Sequence, residues 1–242
     1  MAGRVGSGRA PGVRPVKFTE LRADDAGAVD AAAAHLSLGG LLAHPTGSVY
    51  GIGGSPAIEV QREVAHLKGR PPGPRLVHLV AEAADARRAW PTVQWPSVAD
   101  RLAARFWPGP LTLVLDDGSE HGVAVRVEPH EFTRSVVRRF GRPLSSTSLN
   151  LTGDPPAADA EAARATLEMM PASELAVLFV DAGRLPGPPA STLVRVPGEH
   201  GRPFDVLRAG AIDTGRLERA LQEDADGHAN GDATGSRQGS PA

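Results

Sequence analysis

Hydrophobic positions along this chain come in short blocks that switch between the helical period and the strand period. Residues 24–38 are alanine-rich behind a polar start, which predicts a helix capped by Asp24 and stopped by Gly39 and Gly40. Residues 57–67 place Ile58, Val60, Val64 and Leu67 at helical spacings, and residues 97–106 repeat Val98, Leu102 and Phe106 every fourth position behind a capping Ser97. Further helices are predicted over 132–140, ending at Gly141, over the alanine-rich 157–170 and over 213–221. Short apolar runs at 41–44, 75–80, 111–115, 123–127, 176–180, 192–196 and 204–207 predict strands. Strands interleaved with helices, joined by connections of mixed length and without an internal repeat, predict an α/β (α+β) domain with a mixed β-sheet flanked by helices.

Composition narrows the picture. Residues 1–15 are rich in Gly, Pro and Arg, and 223–242 are polar and glycine-rich, so both predict disordered tails around a folded body at 16–222. Hydrophobic residues make up 41% of the chain but aromatics only 4%, so aliphatic and alanine side chains must build the core. A formal charge of -2 gives no overall pull toward nucleic acid or membrane. The absence of cysteine excludes disulfides, thiolate metal sites and a cysteine nucleophile. No apolar run approaches the ~18 residues of a membrane span. The basic N-terminus (Arg4, Arg9, Arg14) lacks the apolar stretch of a secretory signal, and the expectation is a soluble, cytoplasmic protein.

Four stretches combine small, polar and rigid residues beside strands. Residues 44–54 (HPTGSVYGIGG) read either as a glycine-rich turn or as a loop whose backbone amides approach an anion. The spacing is neither a dinucleotide fingerprint nor a Walker A loop. Lys68-Gly69-Arg70-Pro71 is either a basic helix end complementing the dipole or a pair of cations bracketing phosphate, an ammonium point charge beside a planar guanidinium fork. Residues 106–113 (FWPGPLTL) read as architecture, an aromatic pair and two prolines fixing the entry to a strand. Residues 145–153 (SSTSLNLTG) carry five hydroxyls and one amide, and fit a polar ligand or an ordinary Ser/Thr loop.

Taken in order, PTGSVYGIG (45–53), KGRP (68–71), FWPGPLT (106–112), AVR (124–126), TSLNLTG (147–153), STL (191–193) and LRAG (207–210) resemble the YrdC-type threonylcarbamoyl-AMP synthase family, and cover nearly the whole predicted body of a single-domain member. The resemblance implies a YrdC-like twisted mixed sheet around a concave, positively charged pocket. It implies a nucleotidyltransferase that joins L-threonine, bicarbonate and ATP, with Mg2+ accompanying the nucleotide and no metal ligand assigned to the protein. It implies a threonylcarbamoyl transferase as partner enzyme, with tRNA or double-stranded RNA as a further partner, and no membrane.

Carried over position by position, the resemblance assigns Lys68 and Arg70 to catalysis, and Lys68, Arg70, Ser148, Asn150 and Arg208 to ATP. It assigns Thr46, Ser48, His78, Arg126, Ser146 and Ser191 to threonine, with Arg126 suited to the substrate carboxylate. The chain departs from the pattern at Gly47 (usually acidic), Ser48 (usually threonine), Gly73-Pro74-Arg75 (usually Asn-Pro-Leu), Gly122 and Pro156 (often polar ATP contacts) and Leu149 (usually alanine, so that leucine is expected to narrow the pocket). Two other readings accommodate these departures: a member that has lost synthesis and acts as an RNA-binding or regulatory protein, and a carbamoyl-adenylating enzyme with another acceptor.

Overall fold

The structure, a computed structural model, describes residues 14–71, 73, 76–197 and 202–229. Its elements are β1 (Phe18–Arg22), α1 (Ala28–Ser37), β2 (Leu41–His44), β3 (Gly51–Gly54), α2 (Ile58–Leu67), β4 (Val77–Val80), α3 (Ala83–Ala89), α4 (Ser97–Phe106), β5 (Leu111–Leu115), β6 (Val123–Val127), α5 (Glu131–Phe140), β7 (Leu144–Ser148), α6 (Ala160–Met169), β8 (Val177–Asp181), β9 (Thr192–Val196), β10 (Asp205–Arg208) and α7 (Thr214–Ala229). The strands form one sheet in the order β1-β8-β2-β3-β7-β4-β6-β5-β9-β10. The sheet is mixed, as predicted: β8 runs parallel to β1 and β2, β4 to β6, and β5 to β9, while β3 and β7 pair antiparallel in the middle.

Helix ends differ from the expectation where a side chain finds a better partner elsewhere. Asp24 does not cap α1: it pairs with the Arg22 side chain at 3.0 Å, and Gly27, in the left-handed region, holds the N-cap position. Pro96 occupies the cap of α4, so Ser97 is its first helical residue. α6 starts at Ala160 because Asp159 accepts a hydrogen bond from the Ala162 amide at 2.8 Å. Ala157 instead bridges strands, donating to Leu149 O and accepting from Tyr50 N. α7 continues past residue 222 to Ala229; residues 1–13 and 230–242, where most of the expected tails fall, lie outside the described residues, as does Arg75.

Side chains alternate across the sheet with the strand period. On one face Leu41, Ala43, Ile52, Val177 and Phe179 pack against Val60 and Val64 of α2 and Ala163 and Leu167 of α6. The same face continues through Leu113, Val125, Val127 and Val194 onto Leu102 of α4 and Leu217 of α7. On the other face Leu42, Leu79, Leu144 and Leu178 meet Ala32 and Leu36 of α1 and Val136 and Val137 of α5. Beyond α1 and α5 this second face carries Ser146, Ser148 and Arg126 in place of packed apolar groups, and there it opens as a hollow.

The stretch Gly51–Gly54 is a fully buried strand, not a turn. A Cβ added at Gly53 would stand 1.7 Å from Ser145 O on the neighbouring β7, so only glycine lets β3 approach at this spacing.

Candidate active site

A cavity of about 170 Å³ on the open face is lined by Ser48, Arg126, Ser146, Ser148, Ser191 and Arg208. A wider hollow of about 680 Å³ adjoins it, sharing Thr46, Ser48, Arg126 and Ser191 and walled by prolines such as Pro108, Pro129 and Pro188. Register explains the convergence: Ser146 lies opposite Val77 and Arg126 opposite Leu79, residues that share one face of β4.

One end of the site is organised by a buried lysine. Lys68, at the end of α2, is 4% exposed; its Nζ donates to Asn150 Oδ1 at 2.8 Å and to Ser148 O. Ser148 Oγ donates to the same Asn150 Oδ1 at 2.6 Å, and Asn150 Nδ2 donates to Leu151 O and Asp154 O. Thr152 closes the group by donating its hydroxyl to Lys68 O at 2.8 Å. Burial, and secondarily the nearby Arg70, lower the Lys68 pKa to about 8. Lys68, Asn150 and Arg70 do not line the smaller cavity themselves; Ser148 is its wall toward them.

The other end is organised by a buried carboxylate that the sequence reading missed. Glu128 is fully buried, accepts from Gly47 N at 2.7 Å and His130 N at 3.1 Å through Oε1, and pairs with Arg126 through Oε2. Arg126 Nε is buried without a hydrogen-bond partner among the described residues. A Cβ at Gly47 would stand 2.4 Å from Pro129 Cγ, so the acid expected at position 47 does not fit here, and Glu128 brings a carboxylate against the loop from β6. The available signal was a charged residue two positions after Arg126, on the same side of a strand end.

The remaining expected residues divide. Ser48 lines both cavities. Thr46 is buried and its hydroxyl is spent on the turn, donating to Val49 O at 2.6 Å. Ser191 Oγ bonds Thr112 Oγ1 at 2.9 Å, and Arg208 Nη2 donates to Ser191 O at 3.0 Å, so a residue of the FWPGPLT stretch supports the site. Burial and the neighbouring Arg126 lower the Arg208 pKa.

Three expectations need correction. His78 is opposite Ser145 in the register and bonds its Oγ at 3.0 Å, with the Trp90 ring tilted against it at a centroid distance of 4.8 Å; it lies on the helix-covered face and does not line the cavity. Leu149 is fully buried in the core cluster beneath α2 and α6 and does not narrow the pocket. Gly122 is a left-handed turn residue between β5 and β6 whose Cβ would meet Leu115 O at 2.5 Å, away from the site.

The fold and site define an α/β protein with an open-faced polar cleft, backed at one end by a buried ammonium held by neutral groups and lined at the other by a charge-balanced arginine. A family model described as telomere recombination, that of Sua5, YciO and YrdC, matches residues 34–210, and the chain belongs to this family. It is 33% identical over 206 residues to a putative threonylcarbamoyl-AMP synthase of Mycobacterium tuberculosis, covering 78% of this chain and 87% of that one. It is 36% identical over 140 residues to the threonylcarbamoyl-AMP synthase of Stenotrophomonas maltophilia, covering 53% and 75%. The crystal structure of P. abyssi Sua5 complexed with L-threonine superimposes with a TM-score of 0.68 at 26% identity, covering 86% of this chain and 62% of that one. E. coli YciO shares the fold, with a TM-score of 0.66 at 21% identity, covering 84% and 99%.

Proposed function

We propose that this chain is an L-threonylcarbamoyladenylate synthase, acting in the cytoplasm. The observation that carries the reading is the adjacency of two unlike groups that meet at Ser148: the Lys68–Ser148–Asn150 group and the cavity of Arg126, Ser146 and Ser48. A triphosphate suits the first, because Lys68 meets only neutral acceptors among the described residues. A zwitterionic amino acid suits the second, where Arg126 lines the cavity beside hydroxyls and its guanidinium suits a carboxylate.

In this reading the threonine amine attacks carbon dioxide, supplied by bicarbonate, forming an N–C bond and releasing a proton to solvent. A carbamate oxygen then attacks the α-phosphorus of ATP. The O–P bond forms as the bond to the β-phosphate oxygen breaks, giving threonylcarbamoyl-AMP and pyrophosphate. Both reactants are anions, so the protein's task is alignment and charge neutralisation. Lys68, Arg70 and Arg208 would hold the phosphates, with Ser148 and Asn150 fixing Lys68; Arg126, Ser48, Ser146 and Ser191 would hold threonine. Among the described residues no three His, Cys, Asp or Glu gather to hold a metal, so Mg2+ would arrive on the triphosphate and neutralise its charge there. A partner transferase would pass the threonylcarbamoyl group to tRNA.

Pyrophosphate release measured with and without L-threonine and bicarbonate, with serine as control, tests the reading. Release dependent on both threonine and bicarbonate supports it, with Arg70→Ala abolishing turnover and Arg126→Ala chiefly raising KM for threonine. ATP binding without threonine-dependent release would overturn it in favour of a carbamoyl-adenylating enzyme with another acceptor or a protein that has lost synthesis.

A further inference from the structure

Behind the threonine cavity lies the histidine that opens the 44–54 stretch, one position before the first of the motifs that carry the resemblance. His44 ends β2, is fully buried, and reaches Ser146 Oγ with Nε2 at 2.9 Å. Its other ring nitrogen, Nδ1, lies 3.1 Å from Pro45 O. A carbonyl oxygen only accepts, so Nδ1 carries the ring proton and Nε2 presents a lone pair. Pro45 O is fixed in turn by Thr133 Oγ1, which donates to it at 2.6 Å from α5. The pair also needs Gly51: a Cβ there would come within 2.8 Å of Ser146 Oγ and 3.0 Å of His44 Nε2.

Resting on the functional reading above, we infer that His44 is a positioning residue that commits the Ser146 hydroxyl proton inward, so that Ser146 meets the substrate only as a hydrogen-bond acceptor. The hydroxyl donates to Nε2, and the lone pairs left on Oγ face the cavity that Ser146 lines. An acceptor there takes an N–H of the substrate amine and repels a carboxylate, which also only accepts. The carboxylate is thereby sent to Arg126, whose guanidinium lines the same cavity. The serine and the arginine together set which way round an α-amino acid lies, with its nucleophilic nitrogen on the β7 side. Burial keeps the imidazole neutral by lowering its pKa to about 4, so the arrangement holds at any pH where an enzyme of this kind would work.

The test has two independent arms. Nitrogen-15 NMR of the wild-type chain with labelled histidine reports the tautomer without any reference to activity: His44 protonated on Nδ1 is expected, and protonation on Nε2 overturns the inference. Titration calorimetry with L-threonine in the presence of ATP forms the other arm. His44→Phe, which keeps the bulk and removes the acceptor, is expected to weaken threonine binding and raise its KM roughly tenfold, with KM for ATP changed less than about twofold. His44→Gln, whose side-chain oxygen can accept from Ser146, is expected to recover much of that loss. Ser146→Ala combined with His44→Phe should be no worse than Ser146→Ala alone. A folded His44→Phe that binds threonine as the wild type does overturns the inference; if that variant does not fold, the tautomer measurement decides. A wild-type chain that binds no threonine overturns the functional reading instead, a result distinct from either failure of the histidine's role.

Discussion

The two ends of the cleft handle a buried cation in opposite ways. Lys68 is anchored by a carbonyl and an amide oxygen, so its positive charge is held in place but not cancelled. Arg126 is anchored by Glu128, a fully buried carboxylate, so its charge is matched before any ligand arrives. Burying an ion without a counter-ion is costly, and the lowered pKa of Lys68 is the trace of that cost. Under the proposed function the difference is how a single cleft would sort two ligands: the end with uncancelled charge for a polyanion, and the balanced end for a molecule whose own charges sum to zero.

The comparison can be broken at either end. Replacing Lys68 with Met removes the unbalanced cation and leaves Asn150 Oδ1 and Ser148 O short of a donor. Pyrophosphate release should fall at least about a hundredfold, with threonine binding changed by about twofold or less. Equal losses for both ligands would mean that the two ends are one unit. Leu149→Ala asks whether this residue belongs to the cleft or to the core beneath it. The structure places it in the core, so chemical denaturation should show a loss of about 3 kcal/mol, with KM for threonine unchanged.

Acid should weaken the fold through both buried imidazoles. His44 and His78 have folded pKa values near 4, lowered first by burial, against 6.5 when exposed. As pH falls below 6.5 the unfolded chain takes up protons that the folded chain refuses. Stability is therefore complete above pH 6.5, falls as pH drops toward 4, and loses nothing more from these groups below that. The loss reaches up to roughly 3 kcal/mol for each ring, readable in urea titrations at pH 7 and pH 4.5. The last test acts on the balance itself: Glu128→Gln leaves the Arg126 guanidinium without its counter-ion, so KM for threonine should rise about tenfold while ATP binding is held or tightened, with a loss of roughly 3 kcal/mol of stability in the same urea titration.

What could be read from the sequence was what local spacing decides. Helices α2 and α4 appear almost where the apolar spacing puts them, because their buried stripes are written in consecutive turns. β3 and β7 escaped because their residues, GIGG and LSSTS, carry no strand period of their own; close pairing with each other gives them their form. Side of sheet was the second thing missing. His78 was assigned by motif to the pocket, yet a strand sends neighbours to opposite faces, and only register tells which. Glu128 and His44 acquire their roles from partners 81 and 102 residues distant, a relation that no window of sequence contains.

Arg208 ends β10, the last strand in the row, whose four residues are all exposed and whose pairing with β9 slips between Val206 and Arg208. A strand with a single neighbour is held by one ladder of backbone bonds where a central strand has two. The cleft therefore has a fixed jaw, built on the interior strands β7 and β6, and a jaw mounted on the margin. Whatever ligand spans from Ser148 to Arg208 ties that margin to the interior, and supplies from outside the second set of restraints that the strand order leaves out.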